Sequence, residues 1–213
     1  MAIAIHLESR LLAAGFSLAL AAGCAMFGEP TVERYVAPTV GTTWETARHD
    51  TGSYGNGSGT VAGKRGERTW EGRKMLTFEA ATGTVVARPE GDWIGIFAGD
   101  KPIMTWDPPL NWDWPLQVGK TWTREQRVTL HAAKRTIPYV LTQKVEAYED
   151  VTVSAGRFKA WKVSTVTSLG DENLVWFSPE HGIFIKQSLK RTARHAQGAG
   201  TREIELLSYK RAN

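Results

Sequence analysis

Beyond residue 42, apolar and polar residues alternate in short runs rich in Val, Thr, Trp and Phe, broken by Gly, Pro, Asn and Asp. No segment keeps apolar residues at i, i+3, i+4 and i+7 over three turns, so the pattern predicts strands and not helices. In Phe158–Val166, one set (Lys159, Trp161, Val163, Thr165) is expected to face a core and the other (Phe158, Ala160, Lys162, Ser164) to face away. Arg135–Tyr148 alternates Ile137, Tyr139, Leu141 against Pro138, Val140, Thr142. Ile183–Arg194 and Thr201–Tyr209 flank Gly198-Ala199-Gly200 as a hairpin. Earlier in the chain, strands are expected at Thr42–His49, Thr60–Arg65, Glu67–Trp70, Lys74–Ala80, Thr84–Pro89, Asp92–Phe97 and Pro102–Trp106. Asp50–Thr60, with four glycines, reads as a mobile loop or a wide hairpin turn. It lacks the Lys-Ser/Thr pair and following helix of a phosphate-cradling loop. Short strands with turns at roughly 8–12-residue spacing predict an all-β, mainly antiparallel unit: a half-barrel, sandwich or barrel.

One phrase occurs twice. Val118-Gly119-Lys120-Thr121-Trp122 echoes Val40-Gly41-Thr42-Thr43-Trp44, which divides the chain into related halves, 38–110 and 111–213, packed as one unit. The joint between them, Trp106–Trp122, holds four of the nine Trp and three of the nine Pro. Its first part, with Pro108-Pro109 and Trp112-Asp113-Trp114, has no counterpart in the first half.

The N-terminus reads as an address. Arg10 precedes Leu11–Ala22, a mostly apolar run without charge that is too short to cross a bilayer, which takes about 20 residues. It leads into Leu20-Ala21-Ala22-Gly23-Cys24, which resembles a bacterial lipobox, with Ala21 where Leu is commoner. Residues 1–23 are then a lipoprotein signal peptide, and 24–37 a lipidated N-terminus and tether. The resemblance implies diacylglycerol and palmitate on Cys24, the chain's one cysteine, and a periplasmic location on a membrane. Ala25 after the Cys favours the outer membrane by analogy with enterobacterial sorting.

Composition narrows the function. With 42% hydrophobic and 23% charged residues over 213 positions, the chain is ordinary for a globular protein. A net charge of +4 is too mild for a dedicated nucleic-acid binder. The basic residues gather late (Lys186, Lys190, Arg191, Arg194, Arg202, Lys210, Arg211), either guarding an exposed sheet edge or facing anionic lipid head groups.

The second half suggests a family. Pro115–Trp122 (PLQVGKTW), Val151-Thr152-Val153-Ser154-Ala155-Gly156-Arg157-Phe158 and Trp176–Ile183 (WFSPEHGI) follow one another, then Glu205–Tyr209. This resembles the TapB-like proteobacterial envelope proteins of unassigned function, in which Pro usually stands where Ser154 does. The resemblance covers most of 38–209, implies antiparallel β structure and brings no catalytic residues.

The chemistry is sparse. His49, His131, His181 and His195 form no ligand pair at metal spacing, and G-x-S-x-G is absent. No catalytic residue, metal or cofactor is therefore expected. Trp106, Trp112, Asp113 and Trp114 are the candidate ligand-binding residues, since Trp offers a large amphipathic surface; the alternative is that the Trp residues plug a barrel end or bridge the halves. Trp44, Trp122, Trp161 and Trp176 are expected in the core. The favoured function is non-enzymatic binding of an envelope amphiphile, glycan or protein partner. A structural lipoprotein without ligand, or a hydrolase or transferase of envelope glycan or lipid using Asp107, Asp113 or His181, are the alternatives.

Overall fold

The computed structural model describes residues 30–195 and 197–213. These form twelve strands and no helix: β1 (Thr43–Gly52), β2 (Gly57–Trp70), β3 (Arg73–Ala80), β4 (Gly83–Ala87), β5 (Trp93–Ala98), β6 (Lys101–Leu110), β7 (Thr121–Leu130), β8 (Arg135–Val153), β9 (Gly156–Thr167), β10 (Glu172–Ser178), β11 (Ile183–Arg191) and β12 (Gly200–Lys210). Each pairs antiparallel with its neighbours in sequence, and β12 returns to β1, with Thr43 opposite Lys210 and Gly52 opposite Gly200. The sheet is a closed up-and-down barrel.

Closure removes sheet edges altogether. The late basic residues therefore guard no edge: β12 is bonded on both sides, and Arg202 instead points its guanidinium at Asp50 of β1.

The repeated phrase occupies matching positions. Gly41 (φ 91°) and Gly119 (φ 85°) both adopt the left-handed backbone that favours glycine, just before β1 and β7. Thr42 N–H donates to Thr39 O, and Lys120 N–H to Gln117 O, each at 3.0 Å. Gly41 N–H then reaches Arg65 O at 2.8 Å, and Gly119 N–H reaches Val145 O at 2.9 Å. Arg65 and Val145 return the bond to Thr42 O and Lys120 O. Trp44 and Trp122 are each the second residue of their strand.

The alternation of β9 places Trp161 and Val163 inside, where they join Leu116, Trp122, Val145, Val175 and Phe177 in the main core. The opposite set is not left to solvent as its pattern suggested: Phe158 is 9% exposed and Ala160 fully buried. The long β8–β9 hairpin folds its tip across to β12, where Ala155 N–H donates to Leu206 O at 3.1 Å and Ser154 N–H to Glu205 at 2.9 Å. The face turned away from the interior thereby buries Val151, Val153, Phe158 and Ala160 against Ile183, Ile185 and Leu206. Trp176 packs on the edge of this cluster, half-buried, with the ammonium groups of Lys162 and Lys186 each 5.2 Å from its ring.

Two segment boundaries also move. The wide loop shrinks to residues 53–56, because Gly57–Thr60 ladder with Ala47–Asp50. Strand β6 runs on through Pro108-Pro109 to Leu110, beyond the last β6–β7 rung at Asp107–Arg127, where a missing N–H breaks no ladder. Elsewhere the outer face carries charged pairs, such as Lys144 on Glu146 and both Arg157 and Lys159 on Asp150. A membrane-spanning barrel presents an apolar band on that face.

Candidate functional site

The barrel interior holds a cavity of about 350 Å³. This is at the lower end of the roughly 300–1,000 Å³ typical of small-molecule sites. One part of its wall is aromatic. Trp112 and Trp114, from the loop after β6, turn inward, their rings 5.9 Å apart. Trp112 meets Phe177 edge-on at 5.3 Å and Phe184 at 5.7 Å, and Trp93 meets Phe184 at 5.8 Å. Trp44 and Phe78, 6.3 Å apart, extend this wall. Phe184 belongs to this network and leaves 37% of its surface exposed.

Among the aliphatic residues of the remaining wall sit several uncharged polar side chains. Trp122 Nε1 donates to Gln143 Oε1 at 3.0 Å, and Gln143 Nε2 donates to Thr165 Oγ1 at 3.2 Å. Gln187 Nε2 donates to Asn173 Oδ1 at 2.9 Å. These four polar side chains and Thr46 line the cavity; its charged lining residues are Glu90 and Lys186.

An N-terminal strap closes one end. Val32 exchanges backbone hydrogen bonds with Leu116 in the Trp loop, and Tyr35 Oη donates to Gly182 O at 3.1 Å. Burial pushes the Tyr35 hydroxyl far above its ordinary pKa, so it remains a donor. Gly182 has φ 67°, and a Cβ there would lie 2.3 Å from Val36 O.

Arg65, on β2, is 2% exposed and paired across the ladder with Phe78 of β3, its guanidinium 5.8 Å from that ring. Its Nη2 lies 3.5 Å from Glu67, a carboxylate that Lys74 also engages at 2.5 Å. Nε and Nη1 have no hydrogen-bond partner. At the barrel end carrying the β1–β2 turn, Asp50 accepts from Arg202 Nε and Nη2 at 2.7 and 2.9 Å and pairs with Arg48 at 3.0 Å. The guanidinium of Arg191 stacks 3.6 Å from the Tyr54 ring centroid.

The residues singled out in the sequence separate. Trp112 and Trp114 line the cavity; Trp106 does not, and lies 6.3 Å from Trp93, which does. Asp113 turns away to Lys120 at 3.1 Å and Arg124 at 3.6 Å, tying the Trp loop to the start of β7. Cys24 lies outside the described residues. Of the four Trp expected in the core, Trp122 and Trp161 are buried there, Trp44 lines the cavity, and Trp176 sits half-buried on the opposite face of the sheet. Asp107 is ion-paired with Arg127, and His181 Nδ1 shares a 2.9 Å hydrogen bond with Ser178. Neither these two nor Asp113 line the cavity. Among the described residues no three His, Cys, Asp or Glu converge as metal ligands. The sequence reading missed Trp93, Phe78, Phe184, Arg65 and the Gln/Asn/Thr wall. Phe177 lay inside a predicted strand, but nothing local marked it as a neighbour of Trp112.

No family model matches the chain, and no curated protein matches it in sequence. Solved structures with a similar course exist. One is a protein described as exported, with a YmcC-like fold, from Bacteroides fragilis (12% identity, 84% of this chain and 100% of that one, TM-score 0.48). Another is described as a lipoprotein from Parabacteroides distasonis (10% identity, 84% and 99%, TM-score 0.42). A third is the hypothetical lipoprotein YmcC from Escherichia coli (14% identity, 81% and 85%, TM-score 0.45). At identities this low, the functional reading rests on the barrel's own geometry.

Proposed function

We propose that the barrel binds a small amphiphile of the bacterial envelope without transforming it. The observation that carries this is the mixed lining of the cavity: Trp and Phe rings suited to an apolar body, together with amide and hydroxyl side chains suited to an uncharged polar group. The lipobox-like Leu20–Cys24 supports a lipid anchor on Cys24, and hence a place on the periplasmic side of the envelope, at the outer membrane by the residue that follows it. The phrases shared with TapB-like envelope proteins support the same setting. Trp112 and Trp114 then serve as the ligand-facing part of the joint, and Asp113 as the residue that holds their loop in place. The open volume speaks against a purely structural barrel, and Asp107 and Asp113, the acids named for a hydrolase, are held in ion pairs away from the cavity.

The test is titration of the purified full chain with 1-decanol, followed by tryptophan fluorescence and calorimetry. Four lining Trp (Trp44, Trp93, Trp112, Trp114) should give a saturable one-to-one response. Absence of saturable binding by decanol, decanoate and decyl phosphate alike would remove the reading.

A further inference from the structure

We propose that Arg65 forms an oxyanion subsite beside the cavity, taking the terminal carboxylate or phosphate of the amphiphile whose apolar body the aromatic wall holds. This rests on the binding reading above and adds a class of ligand to it. Arg65 is a buried cation with incomplete compensation. It is 2% exposed, its Nε and Nη1 are without partners, and the one carboxylate within 4 Å among the described residues, Glu67, is shared with Lys74. A guanidinium taken out of water without full pairing is costly, and its planar fork matches a carboxylate or phosphate. Its surroundings connect it to the cavity. Phe78, directly across the ladder, lines the cavity, as do Trp44, two positions after Thr42, whose carbonyl accepts from Arg65 N–H, and Tyr35, whose hydroxyl feels the Arg65 charge.

The repeat supplies independent support. Val145 stands in the second half where Arg65 stands in the first: each exchanges backbone hydrogen bonds with the turn just before its Trp-bearing strand. Val145 is fully buried in an apolar core. The fold thus satisfies this position with a methyl-bearing side chain, and the cation in the first half answers a different demand. Within the cavity's own wall, the one carboxylate is Glu90, an exposed residue of the β4–β5 turn, so no acid among the lining strand residues competes for the guanidinium.

The experiment compares decanol, decanoate and decyl phosphate on the purified full chain and on Arg65→Met. The unaltered protein should bind at least one of the two anions about tenfold or more tightly than decanol, and Arg65→Met should lose that preference while its decanol affinity holds. Preference for decanoate identifies a fatty-acid type of ligand, and preference for decyl phosphate a phosphorylated lipid. Arg65→Met without ligand should melt at or above the unaltered protein, because an undercompensated buried charge has gone. Saturable decanol binding with no anion preference would overturn the subsite and leave the cavity reading intact. Retention of the preference in Arg65→Met, or its loss instead in Arg191→Gln at the barrel rim, would also overturn it. So would a melting temperature far below the unaltered protein's in both Arg65→Met and Arg65→Gln, since Arg65 would then be a structural residue.

Discussion

Replacing Asp50 with Asn tests the seam at which the barrel closes. Asp50 is 4% exposed on β1 and accepts two hydrogen bonds from Arg202 on β12. Arg48 is its second cation, at 3.0 Å. Breaking a buried pair by removing one partner costs about 3–5 kcal/mol, but both arginine side chains still reach solvent, so a cost of about 2–3 kcal/mol is expected here. For a chain of this size each kcal/mol moves Tm by roughly 2–4 °C, giving a drop of about 4–12 °C near neutral pH. The pH dependence carries the sharper signature. The Arg202 hydrogen bonds hold the Asp50 carboxyl below its ordinary range, against the burial that pushes it up. A depressed folded pKa means stability that is fully present above the unfolded value of about 3.9 and is lost as pH falls through the folded one. Thermal melts of Asp50→Asn and the unaltered protein should therefore lie far apart at pH 7 and converge in acid. A gap under about 1 kcal/mol at pH 7, or two curves running parallel into acid, would refute the reasoning.

Two other outcomes follow from the N-terminal side. Gly182→Ala forces a Cβ to within 2.3 Å of Val36 O at φ 67°, adding a clash to the roughly 1–2 kcal/mol of left-handed strain; the strap should undock, and trypsin cleavage after Arg34 should accelerate. Cys24→Ala should abolish incorporation of radioactive palmitate and move the chain out of the membrane fraction, whereas retained label would place the anchor elsewhere.

Strand content was legible because period-two alternation depends only on neighbouring residues. Closure was not, since the same alternation serves a sandwich and a barrel; it is decided by β1 meeting β12. The glycine phrase at Gly41 and Gly119 was legible because a left-handed turn leaves a mark at the residue itself. The turn between β1 and β2 was drawn too wide because Gly57–Thr60 has the composition of a loop, while ladder bonds to β1 make it strand. Phe158 and Ala160 have the right alternation and the wrong surroundings: the curl of one hairpin buries both of its faces. Within the cavity, Trp112 and Trp114 stood out as a local cluster, but Phe177 and Phe184 become their neighbours only through barrel closure. Arg65 closes the predicted strand Thr60–Arg65, but nothing local marks this arginine as buried; the ladder sets it opposite Phe78.

The neighbour-to-neighbour strand order has a consequence for how the molecule assembles. Eleven of the twelve pairings join strands consecutive in the chain, and one, β1 with β12, spans the whole domain. Hairpins can zip along the sequence with short loops, whereas the last pairing must close a loop of 152 residues between Asp50 and Arg202. The entropy of that closure grows only with the logarithm of loop length and amounts to about 4 kcal/mol. Ladder bonds at the seam begin to repay it only once the rest of the sheet has curled. Closure is then expected late in folding, so that substitutions at the seam should speed unfolding more than they slow folding.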